Sequence, residues 1–116
     1  MINAQVKKER FLRDPIPVRL GGLAANLARV DSFSQNPANQ AAVFDLFEES
    51  KHFIEWTAAE TEIDTAVDLV ELQLQIAIWQ RNWHKTWNDV RLRQSVAKTS
   101  SNWSQRLLER SGLLSR

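Results

Sequence analysis

The feature that most limits the fold is a stretch of 74 residues, between Pro37 and Gly112, that contains neither glycine nor proline. Several β-hairpins within that length would normally need turn residues of these two types. Apolar residues inside the stretch instead recur every three or four positions, which is the spacing of an amphipathic helix. The sequence therefore predicts an all-α fold, a small antiparallel up-down helical bundle with three main helices and a short C-terminal helix.

The chain has 116 residues, a length typical of one domain. The pair Asp14-Pro15 ends any preceding helix, because the residue before a proline avoids the α conformation. We therefore expect a basic N-terminal arm or short helix over 1–14 and a single helical-bundle domain over 15–116.

Composition excludes several kinds of function. The chain has no cysteine, which rules out disulfides, thiolate nucleophiles and cysteine-based zinc sites. No apolar run approaches the ~18–20 residues that span a bilayer, and residues 1–14 lack the apolar segment of a secretory signal. We expect a cytoplasmic protein without a membrane span.

The first two main helices have recognisable starts. Pro17 suits the first turn of a helix over about 17–35, whose inner row is Leu20, Leu23, Leu27 and Val30. A second, small face of this helix predicts close approach of a bulky neighbour; it consists of Gly21, Ala25, Ala28 and Ser32. Asn36 as a cap, followed by Pro37, predicts a second helix that runs to about 57–59.

A third helix is predicted over 62–98, and the poor helix formers of 98–102 separate it from a short helix over 103–111. At 1.5 Å per residue the third helix would be about 55 Å long, against about 30 Å for each of the first two. The part beyond Trp79 would then project from the bundle. It would need a cover, which could be the C-terminal helix, the N-terminal arm or a second chain.

Charge is unevenly distributed, although the formal net charge is only +1. Residues 1–30 carry a net charge of +4, residues 31–75 a net charge of −9, and residues 76–116 a net charge of +6. Acidic and basic elements that pack side by side would explain this pattern. The alternative is that the basic ends face an anionic partner.

Three tryptophans, at positions 79, 83 and 87, share one face of the third predicted helix. Such a row can be core, a protein interface, or a platform on which the bases of single-stranded nucleic acid stack. Arg91 continues the row and could lie over Trp87 in a cation–π contact. Core packing is the preferred interpretation, because tryptophan buries a large area.

The histidines do not define a catalytic or metal site. Glu49 and His52 have the Glu-x-x-His spacing of di-iron bundles, but those proteins use the motif twice. The other histidine, His84, has an arginine three residues before it and no nucleophile that would make it a general base. We therefore expect no enzyme activity, no cofactor and no metal.

The leading hypothesis is a non-enzymatic protein-interaction or assembly module that uses the long third helix and the C-terminal helix. Its partner would be a protein of unknown identity or a second copy in a homodimer. The predicted interface consists of Trp83, Trp87, Val90, Arg91, Trp103 and Leu107.

The alternative hypothesis is binding of a polyanion or of single-stranded nucleic acid. The cations for it are Lys7, Lys8, Arg10, Arg13, Lys85 and Arg93. A net charge near zero argues against strong nucleic-acid binding, which usually accompanies a clearly basic domain.

Overall fold

The computed structural model describes residues 4–114, and within that range it contains helices and turns but no β-strand. This confirms the all-α prediction. The α-helices of the described residues are α1 (Ala4–Leu12), α2 (Ile16–Phe33), α3 (Gln40–Thr57), α4 (Ile63–Arg81), α5 (Trp83–Asn88) and α6 (Val90–Ser111). Short 3₁₀ turns at Pro37–Asn39 and Ala58–Glu60 flank α3. The predicted segments 1–14 and 15–116 include residues 1–3 and 115–116, which lie outside the described residues.

The first two predicted helix starts are confirmed. Pro15 and Pro17 open α2 with the fixed φ that suits a first helical turn. The Asn36 side chain accepts a hydrogen bond from the Ala38 amide at 2.9 Å, which caps the 3₁₀ turn that leads into α3.

The single helix predicted over 62–98 is wrong, because the chain turns twice within it. Asn82 leaves the helical conformation at φ −125° and ψ 50°, and Asp89 leaves it at φ −89° and ψ 117°. The predicted break at 98–102 instead lies inside α6, and the predicted short helix is the second half of α6. Within residues 4–114, the predicted three main helices and a short one are therefore replaced by six α-helices of unequal length.

The second turn is held by a side-chain cap. One carboxylate oxygen of Asp89 accepts hydrogen bonds from the amides of Arg91 and Leu92, at 2.9 and 3.1 Å. These amides belong to the first turn of α6, which has no partners for them within the helix. The cap ends α5 and starts α6 in a new direction.

The principal packing of the molecule is between α2 and α6. The α6 residues that are buried include small side chains, Ala97, Ser100 and Ser104, and the Ser104 hydroxyl donates to the Ala24 carbonyl at 2.7 Å. A hydrogen bond from a side chain of α6 to the backbone of α2 requires the two helices to lie close together. The described residues extend 37 × 34 × 22 Å, so no 55 Å helix projects from the bundle.

The small face of α2 is only partly packed as predicted. A Cβ atom on Gly21 would lie 2.8 Å from Cδ1 of Leu113, so a neighbour does approach closely at this position. The prediction is wrong for the other three residues of that face, since Ala25, Ala28 and Ser32 are all exposed.

Ion pairs join the acidic and basic elements, as the charge pattern predicted. Asp68 of α4 is 3% exposed; it accepts a hydrogen bond from Arg110 Nε at 2.8 Å, and Arg106 Nη2 lies 3.1 Å from its other oxygen. The hydrogen bond to Asp68 raises the pKa of Arg110. Arg19 pairs with Glu60 at 3.0 Å and also donates to the carbonyl of Leu12, the last residue of α1. These contacts fix α4 against α6 and α1 against α2.

Candidate interaction surface

The three tryptophans of the row belong to the core. Trp87 is 1% exposed and Trp83 and Trp79 are each 9% exposed. The indole N–H of Trp87 donates to the Pro37 carbonyl at 2.7 Å, and the Trp83 ring centroid lies 5.6 Å from that of Phe47. The rings are therefore already in contact with α3 and its preceding turn, which confirms the core interpretation and leaves no stacking platform.

The structure separates the six residues of the predicted interface. Trp83, Trp87 and Leu107 are buried in the core, where a partner could not reach them without unfolding the chain. Val90 and Arg91 are exposed at the start of α6. Trp103 is partly buried, and the guanidinium of Arg106 lies 5.2 Å from its ring centroid.

The cation–π partner of Trp87 is not the arginine that the sequence predicted. The guanidinium of Arg93, and not that of Arg91, lies over the Trp87 ring, with a centroid distance of 5.6 Å. Arg93 also donates to the Trp87 carbonyl at 2.8 Å. The turn at Asp89 changes the helical register, so the row that continues from 87 to 91 on one helix is interrupted.

The six cations of the polyanion hypothesis do not form one surface. Phe11 of α1 stacks on Phe53 near the carboxyl end of α3, with ring centroids 4.2 Å apart. The α5 segment lies at the other end of α3, where the Trp83 indole contacts the Gln40 carbonyl. Thirteen helical residues, or about 20 Å, separate these two sites. Lys7, Lys8, Arg10 and Arg13 therefore lie far from Lys85 and Arg93.

Two of these cations also have other contacts. Lys7 pairs with Glu49, and Arg93 is held at Trp87. Binding of a polyanion stays a prediction, but among the described residues these six cations do not form one contiguous surface.

Glu49 and His52, the residues of the half-motif, have separate surroundings. Burial acts to raise the pKa of Glu49, but hydrogen bonds from Lys7 and Asn26 outweigh it and hold that pKa below its ordinary value. The exposed His52 ring stacks on Trp56, with centroids 5.5 Å apart. Among residues 4–114, no cluster of three or more histidine, cysteine or acidic side chains is placed to hold a metal ion.

The outer face of α4 is the most apolar exposed surface of a single helix in the described chain. Five large apolar side chains project from it, each between 49% and 76% exposed: Ile63, Val67, Val70, Leu74 and Ile78. Their spacing of four, three, four and four residues places them on one side of the helix. Ile63, Val67 and Val70, with Ala66 and Glu71, line a shallow depression. We call these five side chains the outer stripe.

The opposite side of α4 forms part of the core. Leu69, Leu72 and Ile76 are fully buried, and at 100° per residue they lie across the helix from the outer stripe. A surface helix normally has one apolar face and one polar face. Apolar residues on both faces indicate that α4 is a packed helix with one side uncovered in the isolated chain.

The signal for the outer stripe was present in the sequence. Ile63, Val67, Val70 and Leu74 form one apolar row of the third predicted helix, and Leu69, Leu72 and Ile76 form another. Two rows on opposite sides of one helix cannot both face a core on one side only. Counting apolar residues by face would have distinguished them.

Comparison of the chain with protein-family models, with curated proteins and with solved structures gave no match. Across residues 4–114 no helix combines the length and the apolar character needed to cross a bilayer.

Proposed function

We propose that this chain is a non-enzymatic protein-interaction module and that it binds its partner through the outer stripe of α4. The observation that carries the proposal is the exposure of five large apolar side chains along one helix face. Contiguous apolar surface of this kind marks interaction sites in soluble proteins, because water-exposed apolar area is unfavourable until a partner covers it.

The rest of α4 supports a rigid presentation of this surface. The core side of the helix is fixed by its buried leucines and by the ion pairs of Asp68 with Arg106 and Arg110. A helix held in this way presents its apolar side chains without first having to order them, which lowers the entropic cost of binding. The absence of cysteine is compatible with a reducing compartment, and the proposal includes a cytoplasmic location.

Two valines of similar exposure make a matched test. Val70 in the outer stripe is 58% exposed, and Val90 in the predicted interface at the start of α6 is 54% exposed. We expect Val70→Glu to weaken partner binding by about 100-fold or more, because it would place a carboxylate in an apolar interface. Val90→Glu should leave binding within about threefold of the native chain.

Photo-crosslinking in the cells that produce the protein tests directly whether the outer stripe contacts a partner. A photoreactive amino acid at Leu74 should yield an adduct with a partner, and Val70→Glu should abolish that adduct while Val90→Glu preserves it. The same amino acid at Gln105, an exposed residue of α6, is the control for random contacts. Equal adduct formation from positions 74 and 105 would contradict the proposal.

A further inference from the structure

We infer that the outer stripe is covered by a second copy of this chain, whose α4 lies antiparallel across the first. This inference rests on the proposed function and identifies the partner at the same surface. The resulting interface would be isologous, so that each copy contributes the same side chains.

The spacing of the outer stripe is suited to two-fold symmetry. If the axis passes between residues 70 and 71, Ile63 of one copy meets Ile78 of the other. Val67 then meets Leu74, and Val70 lies beside the axis. In this register, Ile63, Val67, Leu74 and Ile78 each have an apolar mate at the same level. Val70 is level with Glu71 of the second copy and lies about 1.5 Å along the axis from the Val70 of that copy.

The charges at the two ends of α4 favour the same arrangement. Glu62 and Asp64 are exposed at the amino end of the helix, and Arg81 is exposed at its carboxyl end. In the antiparallel register, Arg81 of the second copy lies level with position 60, within about 6 Å along the axis of both acids. Symmetry repeats this attraction at the other end of the interface.

The alternatives fit these charges less well. A parallel second copy would place the two Arg81 side chains together, and likewise the acids. Nucleic acid or an anionic lipid surface would meet Asp64 and Glu71, the exposed carboxylates beside the outer stripe, and would be repelled by them. A second copy in antiparallel orientation brings opposite charges together at both ends.

One residue opposes the arrangement, so its substitution is expected to strengthen self-association rather than weaken it. Glu71 borders the depression in the outer stripe, close to the inferred axis, and would lie near its own copy. Like charges placed together across an interface are destabilising. We therefore expect Glu71→Gln to tighten self-association by about two- to fivefold, whereas most surface substitutions leave it unchanged.

The decisive experiment is charge reversal followed by rescue. Arg81→Glu should weaken self-association about tenfold or more, because at each end of the interface it turns the attractions of position 81 to Glu62 and Asp64 into repulsions. Asp64→Lys should weaken it less, because Glu62 still attracts Arg81. The double variant restores an attraction between positions 64 and 81 and should associate several-fold more tightly than Arg81→Glu alone. Sedimentation velocity from micromolar to near-millimolar protein gives the dimerisation constant. Thermal melts by circular dichroism check folding, since both reversals oppose the helix dipole.

The outcomes separate this inference from the proposed function. The inference of a second copy is overturned if the native chain stays monomeric at the highest concentration. It is also overturned if the double variant associates no more tightly than Arg81→Glu alone. If the Leu74 adduct has twice the mass of the chain and the double variant regains affinity, both the proposed function and the inference of a second copy are supported. If the chain is monomeric but Leu74 crosslinks another protein, the proposed function holds and this inference fails.

Discussion

At the residue scale, two adjacent glycines in α2 have different roles. A Cβ atom on Gly21 would contact Leu113 at 2.8 Å, whereas one on Gly22 would have no heavy atom within 4 Å. The first glycine allows the C-terminal turn to approach α2. Gly22 has no such neighbour, so no close contact in the folded state requires a glycine there. Its effect on stability is to increase the conformational freedom of the unfolded chain.

We expect Gly22→Ala to raise the free energy of unfolding by up to about 1 kcal/mol, which is the difference in helix propensity between the two residues. The matched control is Gly112→Ala, where φ is +75°. That change should lower stability by about 1 kcal/mol, because a side chain disfavours the left-handed conformation. Urea denaturation of both variants measures the difference, and a Gly22→Ala variant less stable than the native chain would refute the expectation.

A second residue-scale effect concerns Glu49, whose carboxylate accepts hydrogen bonds from Lys7 and Asn26. Its pKa is held below the ordinary value of 4.5. A depressed pKa means that the charged form contributes stability at neutral pH. This contribution is lost as the pH falls below 4.5 and through the lower folded value.

The consequence is a pH-dependent difference between the native chain and Glu49→Gln. The variant should lose at most about 1 kcal/mol at neutral pH, because water still screens the site. This difference should disappear as the pH falls below 4.5 and through the lower folded pKa, where the carboxylate is protonated in both states. Glu48→Gln is the matched control, since its carboxylate is more exposed (46% against 29%) and should cost less. Melting temperatures across the pH range report the effect, and a constant difference at every pH would contradict it.

At the scale of elements, the cap at Asp89 decides where the last helix begins. We expect Asp89→Ala to destabilise the protein by about 1 kcal/mol, the usual cost of removing an N-cap side chain. Asp89→Asn should retain most of the stability, because asparagine accepts the same two hydrogen bonds. Denaturant titration of the two variants tests this, and an alanine variant as stable as the asparagine one would argue that the cap contributes nothing.

The starts and ends of α3 to α6 show what local sequence can and cannot determine. Asn36 and Pro37 form a strong combined start signal, and α3 follows them. The turns at Asn82 and Asp89 have only single polar residues as signals, and these residue types also occur within helices. At 98–102 the sequence predicts a break, but the poor helix formers there stay helical. Ser100 is buried against the rest of the fold. Tertiary packing outweighs propensity at that position.

At the scale of the whole molecule, residue type favours a core position for the tryptophan row, although the predicted interface also includes Trp83 and Trp87. The uncovered surface cannot be identified from residue type. The 62–98 segment contains two apolar rows, and sequence does not say which row the other helices cover. That choice depends on the two turns that return α6 to α2. In the folded chain, where α4 packs against both α3 and α6, Leu69, Leu72 and Ile76 are buried and the outer stripe is exposed.

The contact between Ala24 and Ser104 spans 80 residues of chain. During synthesis, α2 emerges long before the helix that becomes its main neighbour. The side of α2 that α6 covers therefore lacks this neighbour until α6 has emerged. Closing so long a loop has an entropic cost that local helix formation does not offset. Packing of α2 against α6 is consequently expected to be a late step in folding, because it requires both ends of this long loop to be present.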